Sequence, residues 1–467
     1  MIKLMPLLLL VSFAAAAETE VPPAARTAVE LTIYEQDLAL VKDRRSLTLP
    51  ADSAELAFTG VSSQMQAETA LLRVLTGEAL SVAEQTFDFD VISPDKLLRR
   101  SVGGEVTVVS TNPATGRDTV ERARVISVDN GLVLEIAGKI HTEAPGRIVF
   151  DALPDDLRTS PTLVVAATGK AGAQSQVELS YLTGGLSWRA DYVADYDADA
   201  RRLDLTAWAT VMNTAGVDFD GAKLKLVSGQ VNRASAPREP KVMMRAMEMA
   251  AAAPMADGVA AEAVGSFHLY DFAPAVDLAA NQTKQLALME ASGIAVTQEY
   301  VVRGQPNFYF GQMQGAPQPA NAETVIAFAN DAAAKLGLPL PAGVARVYGA
   351  DAAGADQFLG EDRIGHIPEG GEVRITLGRD FDITAERQQM SFVRAAENLA
   401  LSVWRIALRN AKDKAVTVRV VEPLQGDWEI LKETAAHTKT NANTAEWLIS
   451  VPAKGEAVLE YNVRSRF

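Results

Sequence analysis

The chain has 467 residues, 59 Asp and Glu against 44 Lys and Arg, a net charge of −15 and no cysteine. That length exceeds what one hydrophobic core holds, so about two to four domains are expected, none of them braced by a disulfide. The acidic surplus repels phosphate backbones and anionic lipid headgroups, and nucleic acid is not an expected partner.

The opening "MIKLMPLLLLVSFAAAAETE" runs from one Lys through an apolar stretch to small residues. This is the order of a secretory signal peptide, predicted over residues 1–17 with cleavage before Glu18. The apolar run is too short to span a bilayer, and no later stretch is long enough to form an integral membrane helix. No cysteine follows it, so attachment of a bacterial lipid is not expected. The protein is therefore expected to be periplasmic or otherwise exported.

Residues 18–160 form the predicted N-terminal β region. Short alternating runs ("VELTIYE", "LALVKDRRSLTL", "ELAFTGV", "ALLRVLT", "LSVAEQTFDFDV") are separated by Pro, Gly and Asp signals. The short charged runs Lys42-Asp43-Arg44-Arg45 and Leu97-Leu98-Arg99-Arg100 read as solvated edges. "SPDKLLRR" predicts a short helix with Ser93 as cap and Pro94 in its first turn. "GEVTVVST", "ERARVISVD", "LVLEIAG" and "GRIVFDAL" follow with tight turns between them, and a small inserted β-barrel is predicted at about 101–150.

A β core is predicted over 161–390. In "GGLSWRADYVADYDAD" the even positions carry Trp188, Ala190, Tyr192, Ala194 and Tyr196, and the odd ones Arg189, Asp191, Val193, Asp195 and Asp197. Period-two alternation makes this a half-buried strand, with Trp188, Tyr192 and Tyr196 inward and Asp191, Asp195 and Asp197 toward water. With the alternating runs after Arg202 and around Leu224 it predicts an antiparallel meander. The Ala-, Met- and Pro-rich stretch 234–265 follows neither period and reads as a mobile surface insertion. "LTAWATVMN", "TVIAFAN" and "SVWRIALRN" are strands ending in Asn213, Asn330 and Asn410, a weak internal echo that suits turns with left-handed backbone. From 391 to 467, Trp404, Ile406 and Leu408, then Val416, Val418 and Val420, then Trp447, Ile449 and Val451 alternate, which predicts a C-terminal β-sandwich. The fold class is thus all-β, mainly antiparallel, in a multi-domain sandwich architecture.

"LSYLTGGLSWRADYVADYD", "ATVMNTAGVDFDGAKLKLVSGQVNR", "LPAGVARVYG" with "FLGEDRIGHIPEG", and "ITLGRDFDITAERQ" resemble a bacterial family of exported proteins of unknown function. That family shares a core domain with mucoidy-inhibitor-A-like proteins. The resemblance spans most of the chain after residue 17 and implies no catalytic residue.

Motifs that carry chemistry are weak. Asp195, Asp197 and Asp199 open like a calcium loop, yet Ala200 and Thr206 stand where it needs Gly and Glu. Asp351, Asp356, Glu361 and Asp362 form a roomier acidic loop. His141, His268, His366 and His437 are scattered without zinc spacing. Ser93 and Lys96 match the Ser-x-x-Lys of penicillin-binding enzymes without its companion motifs. No catalytic, cofactor-binding or metal residue is assigned and no cofactor is expected. The expected role is a non-catalytic binding or structural module for an envelope protein or polymer. The alternatives are a carboxylate-based hydrolase of envelope polysaccharide and, from the terminal alternation "VLEYNVRSRF", an outer-membrane-associated β protein.

Overall fold

The computed structural model describes residues 18–49, 52–89, 91–154, 157–170, 172, 174–229, 231–232, 259–264, 267–313 and 318–466. Among them are thirty strands and one α-helix, Pro94–Arg100, so the chain is all-β as the alternation predicts. It divides into two compact units. One takes the residues up to Ser187 with Met212–Leu226 and Phe272–Thr283, the other Trp188–Val211, Val227–Asp271 and Lys284 onward. The expected signal peptide lies outside the described residues, as do 234–258 and 265 of the expected insertion. Its remaining part, Val259–Val264, is a strand beside Phe267–Leu278, where valines at both ends favour extended backbone.

In the first unit Glu18–Val21, Ser53–Thr59, Thr162–Thr168 and Ser81–Asp88 form a four-stranded sheet, and Arg26–Tyr34, Leu38–Thr48, Gln174–Thr183 and Leu71–Thr76 lie side by side in another. Alternation buries Leu31, Ile33, Val41, Leu56, Phe58 and Leu179. The same parity corrects the reading of Lys42 to Arg45 as a solvated edge: Asp43 and Arg45 share the inward face with Val41 and Leu47 and are fully buried. They survive there as an ion pair (2.7 Å) completed by Arg26, whose Nε and Nη2 donate to Asp43 at 3.0 Å. Arg45 also donates to the carbonyls of Val21 and Thr59. Burial alone would raise the Asp43 pKa, and the two guanidiniums reverse this to a net lowering.

The predicted helix forms, and Ser93 Oγ accepts from the Lys96 amide (3.3 Å), so the Ser-x-x-Lys match is a helix cap. The predicted barrel is a five-stranded sheet, with Lys139–His141 as a fifth strand unforeseen in the sequence. Among the described residues its edge strands, Lys139–His141 and Arg147–Val149, do not pair with each other. The sheet is open and covers its own small core of Val106, Val108, Val125, Leu134 and Ile136.

The second unit is built on two sheets. One has the order Gln282–Ala295, Arg202–Asn213, Leu186–Asp197, Gly343–Ala350, Asp356–Ile364. Leu186–Asp197 runs parallel to Gly343–Ala350, and Phe219–Ser228 belongs instead to the sheet holding Arg26–Tyr34. The expected three-strand meander is therefore broken after its second strand. The other sheet has nine strands, from Asp427–Glu433 at one edge to Thr438–Asn441 at the other. It folds over itself: Trp447 on Thr444–Val451 stacks on Tyr461 of Gly455–Arg466 at 4.8 Å, although those strands are far apart in the sheet order. Tyr300, Tyr309, Ile383, Trp404, Trp447 and Tyr461 share the resulting core. The expected boundary at 390/391 falls inside the 25-residue strand Glu372–Ala396, and the C-terminal strands complete a sheet begun at Thr297–Arg303. In the last strand Leu459, Tyr461 and Val463 are buried in this core.

The three strand-ending asparagines have one architecture. Asn213 Nδ2 donates to the carbonyls of Val217, Leu278 and Ala279. Asn410 Nδ2 donates to Lys414, Val451 and Pro452, and Asn330 Nδ2 to Leu338, Ile367 and Pro368. Each Oδ1 accepts a nearby amide, from Ala215, Lys412 and Gly337 respectively. The echo is thus an internal repeat in which a buried side-chain amide ties a turn to a distant hairpin. Left-handed backbone is not its cause, since none of the three has a positive φ.

Candidate functional site

On the acidic strand, Trp188, Tyr192 and Tyr196 are 0–3% exposed, as expected. Trp188 Nε1 donates to the Val227 carbonyl (3.0 Å) and Tyr192 OH to that of Pro341 (2.7 Å). Asp195 and Asp197 are exposed, and Asp197 Oδ1 accepts the amides of Asp199 and Ala200, which closes a turn at the positions that resemble the start of a calcium loop. Asp191 departs from expectation, because only 4% of its surface is exposed. Thr210 Oγ1 (2.7 Å) and Arg189 Nε (3.1 Å) reach its Oδ2, and Arg346 Nη1 (3.0 Å) its Oδ1. Burial pushes its pKa up, but the hydrogen bonds from Thr210 and Arg346 and the two arginine charges more than offset this, and the net shift is downward. Asp191 is a structural hub.

The other acidic loop is engaged in the same way. Asp351 Oδ1 accepts the Ala353 and Ala355 amides, Glu361 pairs with Arg346, and Asp362 Oδ2 accepts the Thr376 amide. Among the described residues no group of three or more His, Asp or Glu is placed to hold a metal. Among the described residues, their surroundings hold the carboxyls of Glu18, Glu30, Asp43, Asp191, Glu299 and Asp351 below the usual carboxylate range. A glycosidase acid needs the opposite shift. A cleft of about 640 Å³ in the first unit does present Asp218 and Asp220 near Arg26. Both aspartates are exposed, and Asp218 Oδ1 accepts the Ala280 amide at 2.7 Å.

A second cleft, of about 240 Å³, brings together residues remote in sequence: Ser228, His268 and His366, with Tyr270, Leu340 and Ile367 among its walls. Its lips are set by backbone. Leu340 and Ile367 exchange amide-to-carbonyl bonds of 2.8 and 3.0 Å, and Asn330 holds Leu338 on one side and Ile367 and Pro368 on the other. His366 Nδ1 accepts from the Ala342 amide (3.2 Å) and lies 3.0 Å from Ser228 Oγ. A backbone amide can only donate, so in the neutral ring Nδ1 is the acceptor and the proton sits on Nε2. The Ser228 hydroxyl donates to that same Nδ1. A serine nucleophile needs a histidine whose far nitrogen is held by a carboxylate. Among the described residues that line this cleft there is no carboxylate, and the amide shares the accepting lone pair, so the arrangement orients His366. Local spacing gave no sign of this grouping, because each member comes from a different strand or loop.

Among the described residues, the most exposed large apolar one is on the long strand Glu372–Ala396. Its pairing with Gln318–Ala329 skips from Arg379 to Thr384, so a bulge holds Phe381 at 90% exposure. Asp380 builds that bulge by accepting the amides of Asp382 and Ile383 and pairing with Lys412 at 2.9 Å. Asn321 Nδ2 donates to the Asp380 carbonyl (2.7 Å).

No curated protein matches the chain. The residues of the asparagine repeat, the histidine cleft and the Phe381 bulge fall within 177–467, which match a domain of unknown function, DUF4139, over more than half of the chain, and the protein belongs to that family.

Proposed function

We propose that this is an exported, non-catalytic β protein of the bacterial cell envelope that binds a protein or polymer partner there. The observation that carries the reading is the rigid presentation of Phe381. An aromatic ring costs little entropy to fix and contributes strongly when it enters a partner's apolar pocket, and bulges re-aim side chains toward such roles. The lowered pKa values of Glu18, Glu30, Asp43, Asp191, Glu299 and Asp351 favour binding over hydrolysis at those carboxylates. Export is supported by the order of residues 1–17, and kinship with mucoidy-inhibitor-A-like proteins by the motifs quoted above.

The test is site-specific photocrosslinking in intact cells from position 381, with exposed Phe358 as control. A discrete adduct from 381 alone, whose purified partner binds the wild type and not Phe381→Ala, is the expected result. Equal labelling from both positions, or an uncleaved product retaining Met1 in the intact mass, would overturn the reading.

A further inference from the structure

We propose that Asn130–Gly131 is a site of spontaneous covalent modification, at which the asparagine closes on the glycine amide to a succinimide that water opens to aspartate or isoaspartate. Of the thirteen asparagines in the chain, only Asn130 is followed by glycine. The pair lies in the turn between Asp118–Ser127 and Val133–Ile136 of the small inserted sheet, and both residues are exposed. The step balances between chain and solvent. The Gly131 nitrogen, giving its proton to solvent base, attacks Cγ of Asn130. The N–Cγ bond forms as the Cγ–Nδ2 bond breaks, and ammonia leaves. Water then adds to one or the other carbonyl of the ring, which either restores the ordinary backbone or routes it through Cβ and Cγ.

Asn-Gly is also a favoured hairpin turn, so the pair alone does not make a reactive site; the freedom of its groups does. An asparagine that serves its turn hydrogen-bonds the nearby backbone, as Asn112 Oδ1 does with the amides of Ala114 and Thr115. Among the described residues the Asn130 side chain makes no such bond. Gly131 has a φ of 115°, and where a side chain would stand on it there is no neighbouring atom within 4 Å, so the attacking nitrogen is not crowded. Asn213, Asn330 and Asn410 are the opposite case, each buried and held through both Nδ2 and Oδ1. The neighbouring residue gives the product its meaning. Asp129 Oδ1 accepts from Arg99 Nη1 (3.2 Å), and Arg99 Nε already donates to Asp95 (2.8 Å). Each event therefore sets a further carboxylate beside Asp129, opposite a guanidinium with two carboxylates to serve, and the hairpin gains charge with the age of the molecule.

This inference is independent of export and of Phe381, and its test ages the purified full chain in warm neutral buffer while peptide mass mapping follows every asparagine. The peptide that holds Asn130 is expected to become about 1 Da heavier, as an amide turns into a carboxyl, and to separate into two products of equal mass, aspartate and isoaspartate. A hairpin tip opens at almost no cost, so the rate at Asn130 should agree within about threefold between native buffer and urea. Asn213, Asn330 and Asn410 should change in urea alone. Asn130→Gln and Gly131→Ala should each abolish the new species over the same interval; if alanine strains the turn, the Gln variant, which keeps the backbone and the amide, decides. The proposal is overturned if position 130 stays unmodified, if its native rate falls far below that in urea, if Asn130→Gln ages like the wild type, or if aspartate forms without isoaspartate, the mark of direct hydrolysis.

Discussion

Asp191 carries a full charge where only 4% of its surface meets solvent, and it stays ionised because Thr210, Arg189 and Arg346 aim donors at its two oxygens. Its arginine partners are themselves partly solvated, which screens the pair, so Asp191→Asn is expected to cost about 1–3 kcal/mol. Asp195→Asn, on the exposed face, should stay within about 0.5 kcal/mol. The folded pKa of Asp191 lies below its unfolded value. Its contribution is therefore present above the unfolded pKa of about 3.9 and is lost as pH falls through the folded one. Denaturant midpoints should show the full gap between wild type and Asp191→Asn at pH 6 and a shrinking gap below about pH 4; a gap that widens on acidification would refute this account. Trp188→Ala removes a buried ring that packs edge-on to Tyr270 at 6.0 Å and should cost about 3–5 kcal/mol in the same measurement.

At the scale of the element, the asparagine ties explain why three unrelated-looking turns recur. Asn410→Ala would leave the Lys414, Val451 and Pro452 carbonyls and the Lys412 amide without their partner. A loss of about 2–3 kcal/mol is expected from unsatisfied buried groups. Asn410→Asp keeps the shape and the acceptor but sets a carboxylate oxygen against three carbonyls, so it should destabilise at least as much. Thermal unfolding of the two variants decides the point: an Asp variant as stable as wild type would mean that the Nδ2 bonds contribute little. The strand endings were legible as a repeated Asn after an apolar run. The reason for them was not, because the carbonyls gripped by Nδ2 lie up to 66 positions away, at Ala279 for Asn213.

At the scale of the whole molecule, the nine-stranded sheet makes its C-terminal part dependent on earlier residues. Leu399–Asn410 pairs with the Ile383–Ala396 stretch, and Val416–Pro423 runs parallel to Thr297–Arg303. Trp404 packs against Tyr309 at 5.5 Å. A fragment of residues 391–467 should therefore show no cooperative unfolding by circular dichroism, and a sharp transition from it would restore the boundary expected at 390. By itself the sequence determined the all-β class, the inward face of the strands around Trp188, Trp404, Val416 and Trp447, the capped helix and the burial of Trp188, Tyr192 and Tyr196, because period-two alternation is a local property of one strand. Only the tertiary structure decided that Asp43, Arg45 and Asp191 are interior, that His268 and His366 share a cleft, and that Phe381 stands clear. A charge can be buried only where a partner waits, and those partners, Arg26, Arg346 and Thr210, come from strands whose pairing no local pattern encodes.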